Sequence, residues 1–337
     1  MTQRDLERRH FIAGTGQATE NCQALVADAS TRRYFRLPEV RPAQLLMDVE
    51  PGSPDLSAFI AVSEYLNALG LSAPRVLRSS LANGLALIED FGEQTYTQLL
   101  AKGDDETALY ELAVDALVHL HRSQHAIIDL PAYDMAALTG EIELFQHWYV
   151  PTTGIQRDLT AFGLRFTGLW QDALASVAQR RETLVLRDYH VDNLMIIPNR
   201  TGIASCGLLD FQDALIGSRA YDLMSLCQDA RRDLSYGLEE HLIARYLMAM
   251  ATLPAFNPNQ FLSDYWLLAA QRHTKVAGIF ERLSQRDGKH TYLRHQPRVL
   301  RLLRQALKQA KLQDISELLE QQVPGWSQLS QPLKQTA

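Results

Sequence analysis

The chain has 337 residues, 46% of them hydrophobic, with 33 Lys or Arg against 39 Asp or Glu and a net charge of −6. That length is generous for one core and comfortable for two lobes, and the negative balance argues against a general nucleic-acid binder. The start, MTQRDLERRHFIAG, lacks an apolar run, no stretch approaches a membrane span, and Cys22, Cys206 and Cys227 form no C-x-x-C pair; the expectation is a reduced, cytoplasmic protein with no membrane partner.

In chain order, residues 6–12 read as a short helix, 21–26 and 34–37 as strands around the polar turn 28–33, and 44–49 as a third strand. Phe59, Val62, Leu66 and Leu69 share one side of a helix over 56–69 that Gly70 ends. A strand over 85–88 runs into Glu89-Asp90-Phe91-Gly92. A helix over 109–121 follows, in which His119 and His121 pack or cap rather than bind metal, having no third ligand near them in sequence. Residues 139–178 form a helical insertion that includes Trp148 and Tyr149.

Residues 184–222 carry the chemistry. Apolar runs 184–186 and 194–197 flank the polar insert 188–193, and a third run, 207–209, ends on Asp210. These read as short buried strands that set Asp188, Asn193 and Asp210 at strand edges. Transfer of a phosphoryl group from ATP needs a carboxylate to accept the proton of the attacking hydroxyl, and Asp188 fits. It also needs oxygen ligands for Mg²⁺, and Asn193 and Asp210 fit. The order D-x-x-x-x-N, strand, D-F is the kinase order. Beyond it, residues 238–252, 261–280 and 297–311 read as long helices, and a Gln-, Ser- and Pro-rich tail begins at 321.

On these motifs the stretch resembles the aminoglycoside phosphotransferase and choline kinase superfamily, with Leu186-Arg187-Asp188 where that superfamily often has H-G-D. The resemblance implies an α+β, two-lobed protein kinase-like fold: an antiparallel-sheet N-lobe over 1–91, a mostly helical C-lobe over 92–320, and the polar tail 321–337. It implies that the turn with Ser30, Thr31, Arg32 and Arg33 meets the nucleotide phosphates, that backbone around Glu89 and Phe91 meets adenine, and that Asp222 braces the catalytic loop. One departure stands out. The strand 44–49 should carry a phosphate-pairing lysine, yet the first lysine is Lys102, so either Arg32, Arg33 or Arg36 replaces it or the site depends more on backbone donors and metal.

Four runs, 28–36, 88–92, 209–214 and 270–280, narrow the resemblance to the anomeric amino-sugar kinases of cell-wall recycling, which phosphorylate N-acetylmuramate and N-acetylglucosamine at C1. The implied partners are an amino sugar and ATP, with no protein partner evident. The alternatives are a kinase of another small hydroxyl compound and a nucleotide-binding regulator without turnover. Substrate contacts are expected from Trp148 or Tyr149 in the insertion, which could stack on a sugar face. Residues 271–311 hold eleven Lys or Arg against two acids, a balance that suits an anionic or neutral substrate. Arg272, with Lys275 second, is the cation expected to receive a substrate carboxylate.

Overall fold

The computed structural model describes residues 2–13, 22–25, 32–123, 128–154 and 158–326. The first half of the chain runs α1 (Gln3–Ile12), β1 (Gln23–Ala24), β2 (Arg33–Leu37), β3 (Gln44–Asp48), α2 (Pro54–Ala68), β4 (Val76–Ser80), β5 (Leu85–Glu89), α3 (Tyr96–Lys102), α4 (Glu106–Arg122), α5 (Met135–Leu144) and α6 (Leu159–Leu174). It continues with β6 (Thr183–Val185), β7 (Leu194–Ile196), β8 (Cys206–Leu208), β9 (Leu215–Gly217), α7 (Ala220–Cys227), α8 (Leu238–Met250), α9 (Pro258–Asp287), α10 (Gln296–Gln309) and α11 (Gln313–Gln322). The helices start where small polar residues cap them: Ser53, Thr95, Asp105, Asp134, Asp158 and Asn257 each accept a backbone N–H of the first turn.

Contacts gather the chain into two compact units, residues 1–128 with 191–214, and residues 129–190 with 215–337. This is not the expected division at residue 91. The β7–β8 hairpin belongs with the sheet-bearing unit because Thr95 bridges Met195 and Ser72 bridges Gly207.

The first unit is built on an antiparallel sheet of order β1-β2-β3-β5-β4. Alternation assigns its two faces. Phe35, Leu46 and Leu87 lie opposite one another, and with Leu37, Leu85 and the Phe11 and Ile12 of α1 they close one core. Asp48 ends β3 on this face and is only 5% exposed; Arg4 and Arg8 of α1 pair with it, so the buried carboxylate is neutralised. Tyr34, Met47 and Ala86 line up on the other face, as do Arg36, Leu45 and Ile88. No lysine stands there; β3 offers Leu45 and Met47.

The second unit is helical around α9, a 30-residue helix started by Asn257 and Pro258 and stopped by Gly288 in the left-handed conformation. Residues 268–278 of α9 are all buried, including Gln271, Arg272, His273, Thr274 and Lys275. At Gly278 the helix approaches another backbone closely: a Cβ there would lie 2.2 Å from the Leu144 carbonyl carbon. Gly278→Ala should therefore force the helices apart and cost about 1–3 kcal/mol, lowering the melting temperature by roughly 2–12 °C in a thermal melt. α10 packs Val299, Leu300, Leu303 and Leu307 onto α9 and turns Arg301, Arg304 and Lys308 outward. The tail expected from 321 starts as buried structure, with Val323 and Trp326 at 2% and 1% exposure.

Candidate active site

Asp188 sits at the end of a strained turn in the second unit. Its N–H donates to the Leu186 carbonyl at 2.9 Å, and the residue between them, Arg187, has φ +69°. A three-residue turn with positive φ at a bulky side chain costs energy and persists only where its surroundings enforce it. They do so from three directions. Asp222 of α7, 1% exposed, accepts the Leu186 and Arg187 N–H groups at 2.7 and 2.9 Å. The Arg187 carbonyl accepts from Arg272 Nη1 at 3.1 Å and from Ser225 Oγ at 3.2 Å. The Arg187 guanidinium donates to Glu141 Oε1 of α5 at 2.5 Å.

Gln271, Arg272 and Lys275 of the buried polar run of α9 find their partners at this turn or at Glu141, which holds it. Arg272 also reaches Tyr221 OH at 3.1 Å and Asp188 Oδ1 at 3.4 Å. Gln271 and Lys275 donate to Glu141 at 2.9 and 2.8 Å, and His273 bonds Gln228 at 2.8 Å. This corrects the expectation for Arg272 and Lys275. Both cations face protein carboxylates from buried positions, so neither is presented to a carboxylate of the substrate. The Asp188 carboxylate itself is 42% exposed. Crowding by protein opposes its ionisation, but Arg272, Lys275, His190 and Arg187 outweigh that and hold it well below the usual carboxylate range.

Asn193 and Asp210 belong to the first unit. The β7–β8 register pairs Leu194 with Leu208, and the Leu209 N–H donates to the Asn193 carbonyl at 2.9 Å, so the hairpin sets Asn193 and Asp210 side by side in the chain trace. Asp210 has φ +58° and a side chain 40% exposed. Its Oδ1 accepts from Arg32 Nη2 at 2.6 Å and Gln212 Nε2 at 3.1 Å. The alternation of β2 separates the two expected arginines: Arg32 shares the parity of Tyr34 and Arg36, whereas Arg33 shares that of Phe35, lies opposite Asp48 and is exposed. Ser30 and Thr31 lie outside the described residues. Among the described residues no cluster of three His, Cys, Asp or Glu could hold a metal by itself. One carboxylate and one amide oxygen do suit Mg²⁺, which takes one or two protein oxygens and completes its shell with phosphates and water.

After β5 the chain is pinned. Glu89 pairs with Arg200, whose guanidinium lies 5.2 Å from the Phe91 ring centre. Asp90 takes Arg36 at 2.6 Å and accepts the Gly92 N–H at 2.8 Å. Phe91, Met195 and Ile197 form a buried apolar cluster beside this segment, with Leu209 packed against it. Of the two aromatics expected to meet a sugar, Tyr149 is 1% exposed and stacked 4.6 Å from Phe145, which corrects that expectation, because its faces are covered by core. Trp148 is half-buried, on a π-helical turn over Phe145–Tyr149. The sequence reading missed Glu141. Its signal was position: it falls three residues after Leu138 and four before Phe145, on the buried side of its helix.

Residues 21–258 match the family described as "Phosphotransferase enzyme family". The N-acetylmuramate/N-acetylglucosamine kinase of Caulobacter vibrioides is 32% identical over 358 aligned residues, covering 96% of this chain and 98% of that protein. The kinase of the same name from Pseudomonas aeruginosa is 35% identical over 300 residues, covering 87% and 86%. Among solved structures, an ADP-bound aminoglycoside phosphotransferase superposes with a TM-score of 0.61 at 14% identity, over 96% of this chain and 98% of that one. A choline kinase from Streptococcus pneumoniae gives 0.60 at 11% identity, over 92% and 99%. At such identities the likeness is one of fold.

Proposed function

This chain belongs to the phosphotransferase enzyme family, and we propose that it is an ATP-dependent kinase of the anomeric C1 hydroxyl of N-acetylmuramate and/or N-acetylglucosamine. The observation that carries the sugar assignment is the likeness, over nearly the whole of both chains, to the Caulobacter vibrioides kinase named for those two sugars. The Asp188 turn and the Asn193–Asp210 hairpin support the chemistry. In this reading the protein works in the cytoplasm on small molecules; no helix among the described residues is long and apolar enough to cross a membrane.

Asp188 accepts the hydrogen bond of the C1 hydroxyl and aims its oxygen at the terminal phosphorus of ATP. The C1 oxygen–phosphorus bond forms as the bond from that phosphorus to the β–γ bridging oxygen breaks. ADP leaves with the electron pair, and the hydroxyl proton passes to Asp188. A carboxylate held so far below its usual range is a weak base in the ground state, so the proton moves late, once the new bond has acidified the hydroxyl. Asn193 and Asp210 are the residues that would hold Mg²⁺, which supplies neutralisation of charge on the transferring phosphates. Backbone around Glu89 and Phe91 receives adenine. Arg32 supplies the phosphate cation that β3 lacks.

Arg32→Ala should therefore raise KM for ATP about ten- to a hundredfold, the loss of one charge-assisted hydrogen bond, with the sugar KM unchanged, while Arg33→Ala stays near wild type. Steady-state kinetics with each substrate varied separates the two. The sugar assignment is tested by ADP release across neutral, acidic and cationic sugars. Turnover with the two N-acetylated sugars supports it; turnover with cationic aminoglycosides alone, or with no sugar, overturns it.

A further inference from the structure

The Asp188 turn is surrounded by more cation than its own carboxylate can balance. Arg272 reaches it from α9, the charge of Lys275 acts on it from the same helix, and Arg187 belongs to the turn. His190 follows in the chain and Asp222 lies beneath on α7, accepting two backbone N–H groups. Tyr221 of α7 receives Arg272 and, at 3.5 Å, Lys275. Asp229 acts on His190, and a further anion enters the cluster from α5. Glu141 takes Arg187 at 2.5 Å, Lys275 at 2.8 Å and Gln271 at 2.9 Å, together with the Tyr133 hydroxyl. Four donors converge on one carboxylate whose side chain is 12% exposed.

Such a carboxylate does two things at once. It tethers the side chain of Arg187, the residue at the centre of the strained turn, to a helix outside the turn. It also neutralises Arg187 and Lys275, two of the cations whose fields fall on Asp188; unneutralised, they would stabilise the Asp188 anion further and weaken it as a proton acceptor. We infer that Glu141 is a positioning residue of the phosphoryl transfer, holding the Asp188 turn in place and balancing Arg187 and Lys275 so that Asp188 keeps its proton affinity. This inference rests on the kinase reading above and adds a residue that touches neither substrate.

The test is a charge-balance cycle in the full-length protein. Glu141→Gln keeps the shape and removes the charge. It should lower kcat about ten- to a hundredfold, the scale of a small misplacement of a reacting group, and leave KM for ATP within about twofold. Lys275→Met alone supplies the other single effect of the cycle. The double variant E141Q/K275M removes one charge of each sign, and should recover at least about tenfold in kcat over E141Q. Glu141→Asp, which retains the charge, should be faster than E141Q, and it decides the question if E141Q fails to fold. Thermal melts identify which variants are folded at the assay temperature. Unchanged kcat in folded E141Q, a double variant as slow as the product of the single effects, or E141D no faster than E141Q each overturns the inference. A wild type without sugar-dependent turnover overturns the kinase reading instead, so the two failures are distinguishable.

Discussion

Asp188→Asn should lower kcat by about 10²–10⁴-fold, the usual loss when a positioned proton acceptor is removed, while leaving nucleotide affinity nearly intact. The asparagine has the size of the aspartate and its amide oxygen can still face Arg272 Nη2, so the turn keeps its supports from Asp222, Ser225 and Glu141. What it loses is the anion that orients the hydroxyl and takes its proton. The proposed nucleotide groups are Arg32, Glu89 and Phe91, which the substitution leaves unchanged. Steady-state kinetics with calorimetry of ATP binding checks both halves. Near wild-type turnover in a folded variant would remove Asp188 from the chemistry.

Asp210→Ala should abolish most of the Mg²⁺ enhancement of ATP binding, a loss of at least about tenfold, because a hard cation loses its one carboxylate. The proposed role rests on three observations: the side chain lies on a residue with φ +58°, is 40% exposed, and is approached by Arg32 and Gln212 through Oδ1. The variant also releases Arg32 from its ion pair, so ATP binding without Mg²⁺ should change much less than binding with it. Titrating ATP in the presence and absence of Mg²⁺ reads the difference. An undiminished Mg²⁺ effect means that Asp210 is not a ligand.

The turn that carries Asp188 and the strand end that carries Asp210 were legible in the sequence, because the D-x-x-x-x-N spacing and the apolar runs around it are local signals. So were the long helices, where apolar residues recur at helical spacing, as in α4 and α10. Local patterns could not tell that Arg272 and Lys275 are buried. In the chain they open a basic segment, and their partners, Asp188 and Glu141, lie 84 and 134 residues away. The same distance hid Glu141, which reads alone as one more acid on a helix. β4 escaped because its Arg78, Ser79 and Ser80 carry little apolar signal and pair through backbone with β5. β9 escaped because three residues, Leu215–Gly217, are too few for any period. Tyr149 was ambiguous for another reason: an aromatic on a helix looks alike whether it faces a ligand or Phe145, and only packing distinguishes them.

Transfer of phosphate from ATP to the anomeric oxygen of an N-acetylated amino sugar is read from the position of the phosphate on the product. N-acetylmuramate and N-acetylglucosamine are each incubated with the protein, ATP and Mg²⁺, and the product is read by ³¹P and ¹H NMR. The expected result is a phosphate coupled to the anomeric proton with equimolar ADP, absent in Asp188→Asn. A phosphate coupled to the C6 protons, or ADP formed at the same rate without sugar, would contradict the account.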